Sequence, residues 1–191
     1  ARAAKLVYDG IEDERIVAHV MLGYETRARD GTSKLADRLA WVEKLGTLAN
    51  AHPTIAATRI STTALTREIV NAELTAIRKL PPGERLTRIA KLSTTAALLD
   101  ELELIRAQSH LEILRADAVN SEQIKDHLDS YGRLDLDSAR RAAGLTPVPD
   151  PATLRNEISD RLEMRFGKAT AHADHLQILT TLLSLHDGEA D

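Results

Sequence analysis

Apolar residues recur every three or four positions along most of this 191-residue sequence, and this helical period most restricts its possible folds. Nowhere does the sequence show the apolar-polar alternation of a half-buried strand, or a hairpin dipeptide between two such strands. Only 3% of the residues are aromatic. The core must therefore be built from Leu, Ile, Val and Ala, which favours helix packing over a β-sandwich. The sequence predicts an all-α fold.

Prolines and glycines divide this pattern into segments. His52–Pro53 and Pro81–Pro82 each end a helix, because the residue before a proline is disfavoured in the α region. Asp150–Pro151 predicts a helix start, with Asp as N-cap and Pro in the first turn. Shorter helices are predicted before residue 51. Long helices are predicted over 54–80, 83–116 and 151–186.

The long helices predict an elongated bundle in which they run antiparallel, with the shorter helices packed across them. A helix over 83–116 would be on the order of 50 Å long and would need long neighbours to cover its apolar stripe. In the last helix, Leu176, Leu179 and Leu183 are expected on the core-facing stripe. We expect one domain over 1–191, with 117–150 as a small accessory lobe or cap.

The tetrapeptide Ser-Thr-Thr-Ala occurs twice, at 61–64 and at 93–96. In a hairpin that turns at Pro81–Pro82, each copy would face large aliphatic side chains such as Leu102 or Ile69. We interpret both copies as hollows of small residues that receive these side chains. The alternative is that their hydroxyl groups line a ligand groove.

Charge is distributed unevenly along the chain, although the net charge is only −4. Residues 52–92 carry 7 Lys or Arg against 3 Asp or Glu, whereas residues 93–130 carry 3 against 8. The basic residues concentrate around one turn, at Arg78, Lys79, Arg85, Arg88 and Lys91. This basic turn predicts a contact surface for an acidic protein partner or for phosphate. The alternative is a solvated face with ordinary capping charges.

The stretch "LDSARRAAGLTPVPDPATLRNEI" suggests a second binding surface. Its "ARRAAGLT" resembles the first helix and turn of bacterial helix-turn-helix modules, and the resemblance implies nucleic-acid contact through Arg140, Arg141 and Arg155. The "PVPDP" segment makes the turn longer than the usual 3–4 residues. Residues 121–165 also carry 7 basic and 9 acidic side chains. Nucleic acid is therefore the alternative partner and not the leading one.

The sequence offers little support for catalysis or for a cofactor. It has no Cys, no glycine-rich phosphate loop and no Gly-x-Ser-x-Gly motif. His172 and His175 share a helix face, but no Glu-x-x-His motif accompanies them. We expect no metal or cofactor, lean against an enzyme, and expect a cytoplasmic protein because no apolar run has the length of a membrane span.

These features together favour a non-enzymatic helical interaction module, such as an adaptor, scaffold or assembly subunit. Its partner would be a protein with an acidic surface or a second copy of the chain. The alternative is a nucleic-acid-associated regulator or packaging-type subunit that uses residues 138–158 or the basic turn.

Overall fold

The computed structural model describes residues 14–57, 61–92, 98–116 and 121–186, and within these ranges it contains helices and no strand. The all-α prediction is therefore confirmed. In chain order the helices are α1 (Glu14–Arg29), α2 (Leu35–Ala51), α3 (Pro53–Ala56), α4 (Thr62–Arg78), α5 (Pro82–Ala90), α6 (Leu99–Arg115), α7 (Ser121–Gly132), α8 (Leu136–Ala143), α9 (Pro151–Phe166) and α10 (His172–His186).

The chain divides between Ile77 and Arg78 into two compact units. The prediction of one domain stays a prediction. In the first unit, α1 packs against α2, and α3 packs against both. A buried ion pair joins α2 to α4 in this unit: Arg38 Nη1 lies 3.8 Å from Glu73 Oε2. Arg38 Nε also donates a hydrogen bond of 3.0 Å to the carbonyl oxygen of Ala28, so one guanidinium links three helices.

The three long helices predicted from the sequence are each divided, so that part of the prediction is wrong. Helix α3 ends at Ala56, and α4 begins at Thr62. Helix α5 ends at Ala90 and packs against α6, and α9 ends at Phe166 and packs against α10. In the pairs α5–α6 and α9–α10, two shorter helices can bury their apolar stripes against each other, which one continuous helix could not do.

Helix α6 is central to the second unit and packs against α5, α7 and α8. Most of its length is buried, which agrees with its position among these neighbours. Residues from α6 to α10 share one core, namely Leu104, Ala107, Leu111, Leu114, Ile124, Leu128, Tyr131, Ala139, Val148, Leu154, Ile158, Leu162, Ile178 and Leu185. Residues between 121 and 148 thus contribute to the same core as α6 and α9.

The first Ser-Thr-Thr-Ala copy begins a helix and does not form a packing hollow. The Ser61 hydroxyl accepts a hydrogen bond of 3.1 Å from the backbone N–H of Ala64, as an N-cap does. Thr63 and Ala64 are exposed, so the predicted hollow is wrong for this copy. The second copy, at 93–96, lies outside the described residues.

Candidate functional site

Two arginines of the basic turn, Arg78 and Arg85, form ion pairs with carboxylates of α6. Arg78 pairs with Glu101. Arg85 Nη1 donates a hydrogen bond of 2.7 Å to Glu112, and its Nε donates one of 2.7 Å to the carbonyl oxygen of Leu80. These contacts fix the turn before α5 and join α5 to α6. Part of the positive charge that the sequence places here is therefore compensated within the fold.

The other three basic residues of this turn are exposed. They are Lys79, Arg88 and Lys91. Exposure places these side chains where an acidic partner could reach them. The basic turn stays a predicted contact surface.

The arginines of the predicted nucleic-acid surface also make contacts within the second unit. Arg141 donates two hydrogen bonds to the carboxylate of Asp100, at 3.1 and 3.0 Å, and these lower the pKa of Asp100. Arg140 contacts the carbonyl oxygen of Val148 and the carboxylate of Asp137, each at 3.3 Å. Arg155 is half-buried. A phosphate would have to replace the Asp100 contact in order to bind Arg141.

The histidines that share a face in the sequence, His172 and His175, are not arranged as a metal site. The Nδ1 of His175 lies 3.1 Å from the carbonyl oxygen of Ala171. Its ring packs edge-on against Phe166, with 4.6 Å between the centroids. Among the residues that the structure describes, no group of three or more His, Asp or Glu side chains could hold a metal ion.

A different histidine pair, His110 of α6 and His127 of α7, forms a direct contact that the sequence does not reveal. The two Nδ1 atoms are 2.9 Å apart. This contact needs one proton between the rings, because one Nδ1 must donate and the other must accept. Burial, followed by the proximity of His127 and Arg106, lowers the pKa of His110 to about 4. Burial also lowers the pKa of His127.

Helix α10 is apolar on two sides. One side is buried in the core through Ile178 and Leu185. The other carries Leu176, Leu179 and Leu183, which are 53%, 42% and 65% exposed. The sequence-based assignment of these three leucines to the core was wrong. The helical spacing of apolar residues does not show which side of a helix is buried when both sides are apolar.

A cavity of about 270 Å³ lies where α7, α9 and α10 meet. Its floor is apolar and is formed by the buried side chains of Ile124, Leu162 and Ile178. Its rim carries charges of both signs, from Arg165, Lys168 and Asp174. This cavity could not be predicted from the sequence, because its walls come from three helices that are separated along the chain.

Comparison with protein-family models, curated proteins and solved structures gave no match to this chain. In the described part of the chain, no helix combines the length and the apolar character that crossing a membrane requires. The site residues therefore have to be interpreted from their geometry and chemistry.

Proposed function

We propose that this chain is a helical interaction module, an assembly subunit, that associates with a second copy of itself through the exposed leucines of α10. We name Leu176, Leu179 and Leu183 the leucine face. The observation that carries this proposal is their exposure on a helix whose opposite side is already buried in the core. A contiguous exposed apolar surface is typical of a binding site.

The spacing of the leucine face suits pairing with another helix. Positions i, i+3 and i+7 form the narrow seam through which two helices pack in a coiled coil. In an antiparallel pair, Leu179 would meet its own copy near the twofold axis. Leu176 of one copy would then lie near Leu183 of the other. Such a self-matching contact closes after two copies.

The absence of charge favours a second copy over a charged partner. Residues 176–185 contain no Lys, Arg, Asp or Glu. A twofold interface brings identical side chains close to one another near the axis, so a charge there would meet its own like charge. Selection of a different, charged partner would instead require complementary charges on this surface.

The predicted association is weak. The exposed fractions of the three leucines correspond to about one and a half leucine side chains per copy. At about 1.5–3 kcal/mol for each buried leucine, two copies would gain roughly 5–10 kcal/mol. The loss of translational and rotational freedom opposes this gain by about 4–15 kcal/mol. Only the favourable ends of these two ranges leave a net gain, of about 6 kcal/mol, so the dissociation constant should be no tighter than roughly 10⁻⁵–10⁻⁴ M.

Sedimentation velocity over a range of concentrations tests the proposal. The wild-type chain should shift from monomer towards dimer as its concentration rises through roughly 10⁻⁴ M. Leu179→Glu should remove the shift, because it places two carboxylates at the axis. The matched control is Leu145→Glu, because Leu145 is fully exposed in the loop after α8.

The control variant should dimerise as the wild type does. A wild-type chain that remains monomeric at 10-fold higher concentration would refute self-association. Equal dimerisation of Leu179→Glu and the wild type would show that the leucine face is not the interface.

A further inference from the structure

We propose that the cavity between α7, α9 and α10 binds a small α-amino acid with an aliphatic side chain. The aliphatic side chain would occupy the apolar floor, and the amino and carboxylate groups would lie at the charged rim. This site is separate from the self-association surface, because the leucine face does not line the cavity.

The floor matches an aliphatic group in size and polarity. Ile124, Leu162 and Ile178 supply its surface, and all three are buried. The hydroxyl of Thr181 in the same wall already donates its proton to the carbonyl oxygen of Gln177 at 2.8 Å, so it does not donate to a ligand group. A cavity of about 150 Å³ lined by aliphatic residues can bind benzene. A volume of about 270 Å³ therefore accommodates a leucine-sized ligand.

The rim presents both charges that an amino acid needs. Within the described ranges, no ion pair involves Arg165, Lys168 or Asp174, although all three line one opening. Elsewhere in the second unit, Arg115 is paired with Glu157 and Arg141 with Asp100. The rim cations are therefore available for a carboxylate, and Asp174 is available for an ammonium group.

The combination of charges selects among ligands that share the same aliphatic group. A fatty acid would satisfy the two cations but would leave Asp174 beside a second carboxylate. An amine would contact Asp174 but would place its charge near Arg165 and Lys168. An α-amino acid carries both charged groups on one carbon, and it is the ligand class that satisfies both signs at once.

Titration of the full ¹⁵N-labelled chain with L-leucine, followed by NMR, tests the assignment. Saturable shifts should concentrate at residues 162–181. The two comparison ligands are 4-methylpentanoate, which lacks the ammonium group, and 3-methylbutylamine, which lacks the carboxylate. Each should bind at least about fivefold more weakly than leucine, because one charged contact is lost.

Exposed variants test the roles of the rim. Asp174→Asn should weaken leucine binding by at least about fivefold and leave 4-methylpentanoate binding unchanged or tighter. Arg165→Gln combined with Lys168→Gln should weaken both of these ligands. The matched controls are Asp129→Asn and Arg133→Gln, since both side chains are exposed in the same unit and do not line the cavity.

Three results would overturn the proposal. The first is the absence of saturable shifts with leucine in the wild-type chain. The second is binding of 4-methylpentanoate as tight as that of leucine, which would leave Asp174 without a role. The third is equal loss of binding in the control variants. The wild-type titrations decide the first two without any substitution, so a variant that fails to fold does not obscure the outcome.

Discussion

Acidification should destabilise the second unit through the contact between His110 and His127. At neutral pH both rings are uncharged and one proton lies between their Nδ1 atoms, which are 2.9 Å apart. One added proton makes one ring a cation and keeps this hydrogen bond, but two added protons would place two donors and two positive charges face to face. The hydrogen bond between α6 and α7 would then be lost.

The size of the effect follows from the pKa of His110, which is lowered from 6.5 to about 4. Below pH 6.5 the unfolded chain binds a proton that the folded chain excludes, so stability falls as pH falls. The slope is about 1.4 kcal/mol per pH unit for one proton. The loss ends near pH 4, where the folded state also binds the proton, and by then it amounts to about 3 kcal/mol.

Charged neighbours affect the two rings in opposite ways. Arg106, on the same helix as His110, lowers the pKa of His110 further. Asp126, beside His127 on α7, raises the pKa of His127, although burial outweighs it. The helices α5 and α8 that pack against α6, and α9 and α10 that pack against α7, supply no charge that shifts either ring within the described part of the chain. We therefore expect His127 to bind the first added proton.

Urea unfolding at several pH values between 7 and 4, followed through NMR signals of α6 and α7, measures the slope. His110→Asn keeps a polar group near the Nδ1 position but cannot gain a proton, so its slope between pH 6.5 and 4 should be clearly smaller. The control His172→Asn changes an exposed histidine and should retain the wild-type slope. Carboxylates with lowered pKa values lose their contribution as pH falls through their usual values, 3.8 for Asp150 and 4.5 for Glu157, so they affect only the lower end of this window. Because the variants and the wild type share them, the difference between slopes still reports His110. Titration of His110 near pH 6.5 in the folded chain, or equal slopes for His110→Asn and the wild type, would contradict this prediction.

Two further predictions concern arginines that join helices. Arg38→Met should destabilise the first unit by about 3–5 kcal/mol, because it leaves buried Glu73 without this partner. Fluorescence of Trp41, the only tryptophan in the sequence, reports urea unfolding of this unit. The control is Lys34→Met, because Lys34 is exposed. Equal urea midpoints for Arg38→Met and Lys34→Met would contradict the prediction. Arg85→Gln should cost the second unit about 1 kcal/mol, because Glu112 is half exposed. Thermal unfolding of Arg85→Gln and of the control Lys79→Gln measures the loss of stability in each variant. An equal loss of stability in both variants would contradict the prediction.

Helix boundaries could be predicted where a residue acts through its own local chemistry. Helix α2 ends at Ala51 before His52–Pro53, and α5 begins at Pro82, as proline geometry requires. Asp150 caps α9 by accepting a hydrogen bond of 2.8 Å from the backbone N–H of Thr153. Such contacts span three or four residues, so they are visible in the sequence.

The interruptions of the long helices depend on packing instead. Residues 83–116 contain no proline and no glycine after Gly83, and local propensity therefore favours a continuous helix. Helix α5 nevertheless ends at Ala90 and packs against α6, a tertiary contact that local sequence does not encode. The same holds for the candidate sites. His110 and His127 are 17 positions apart on two helices, so no spacing rule could bring them together.

The closure of the second core by α10 has a consequence for synthesis on the ribosome. The last helix of the first unit, α4, ends at Arg78, so this unit can fold early in synthesis. The core of the second unit is complete only after Ile178 and Leu185 have been made. At usual translation rates this delay lasts on the order of ten seconds. During that time the core side chains of α7 and α9, the helices against which α10 packs, lack this cover. The emerging polypeptide thus exposes these apolar side chains before α10 has been made, and chaperone capture should concentrate on α7 and α9.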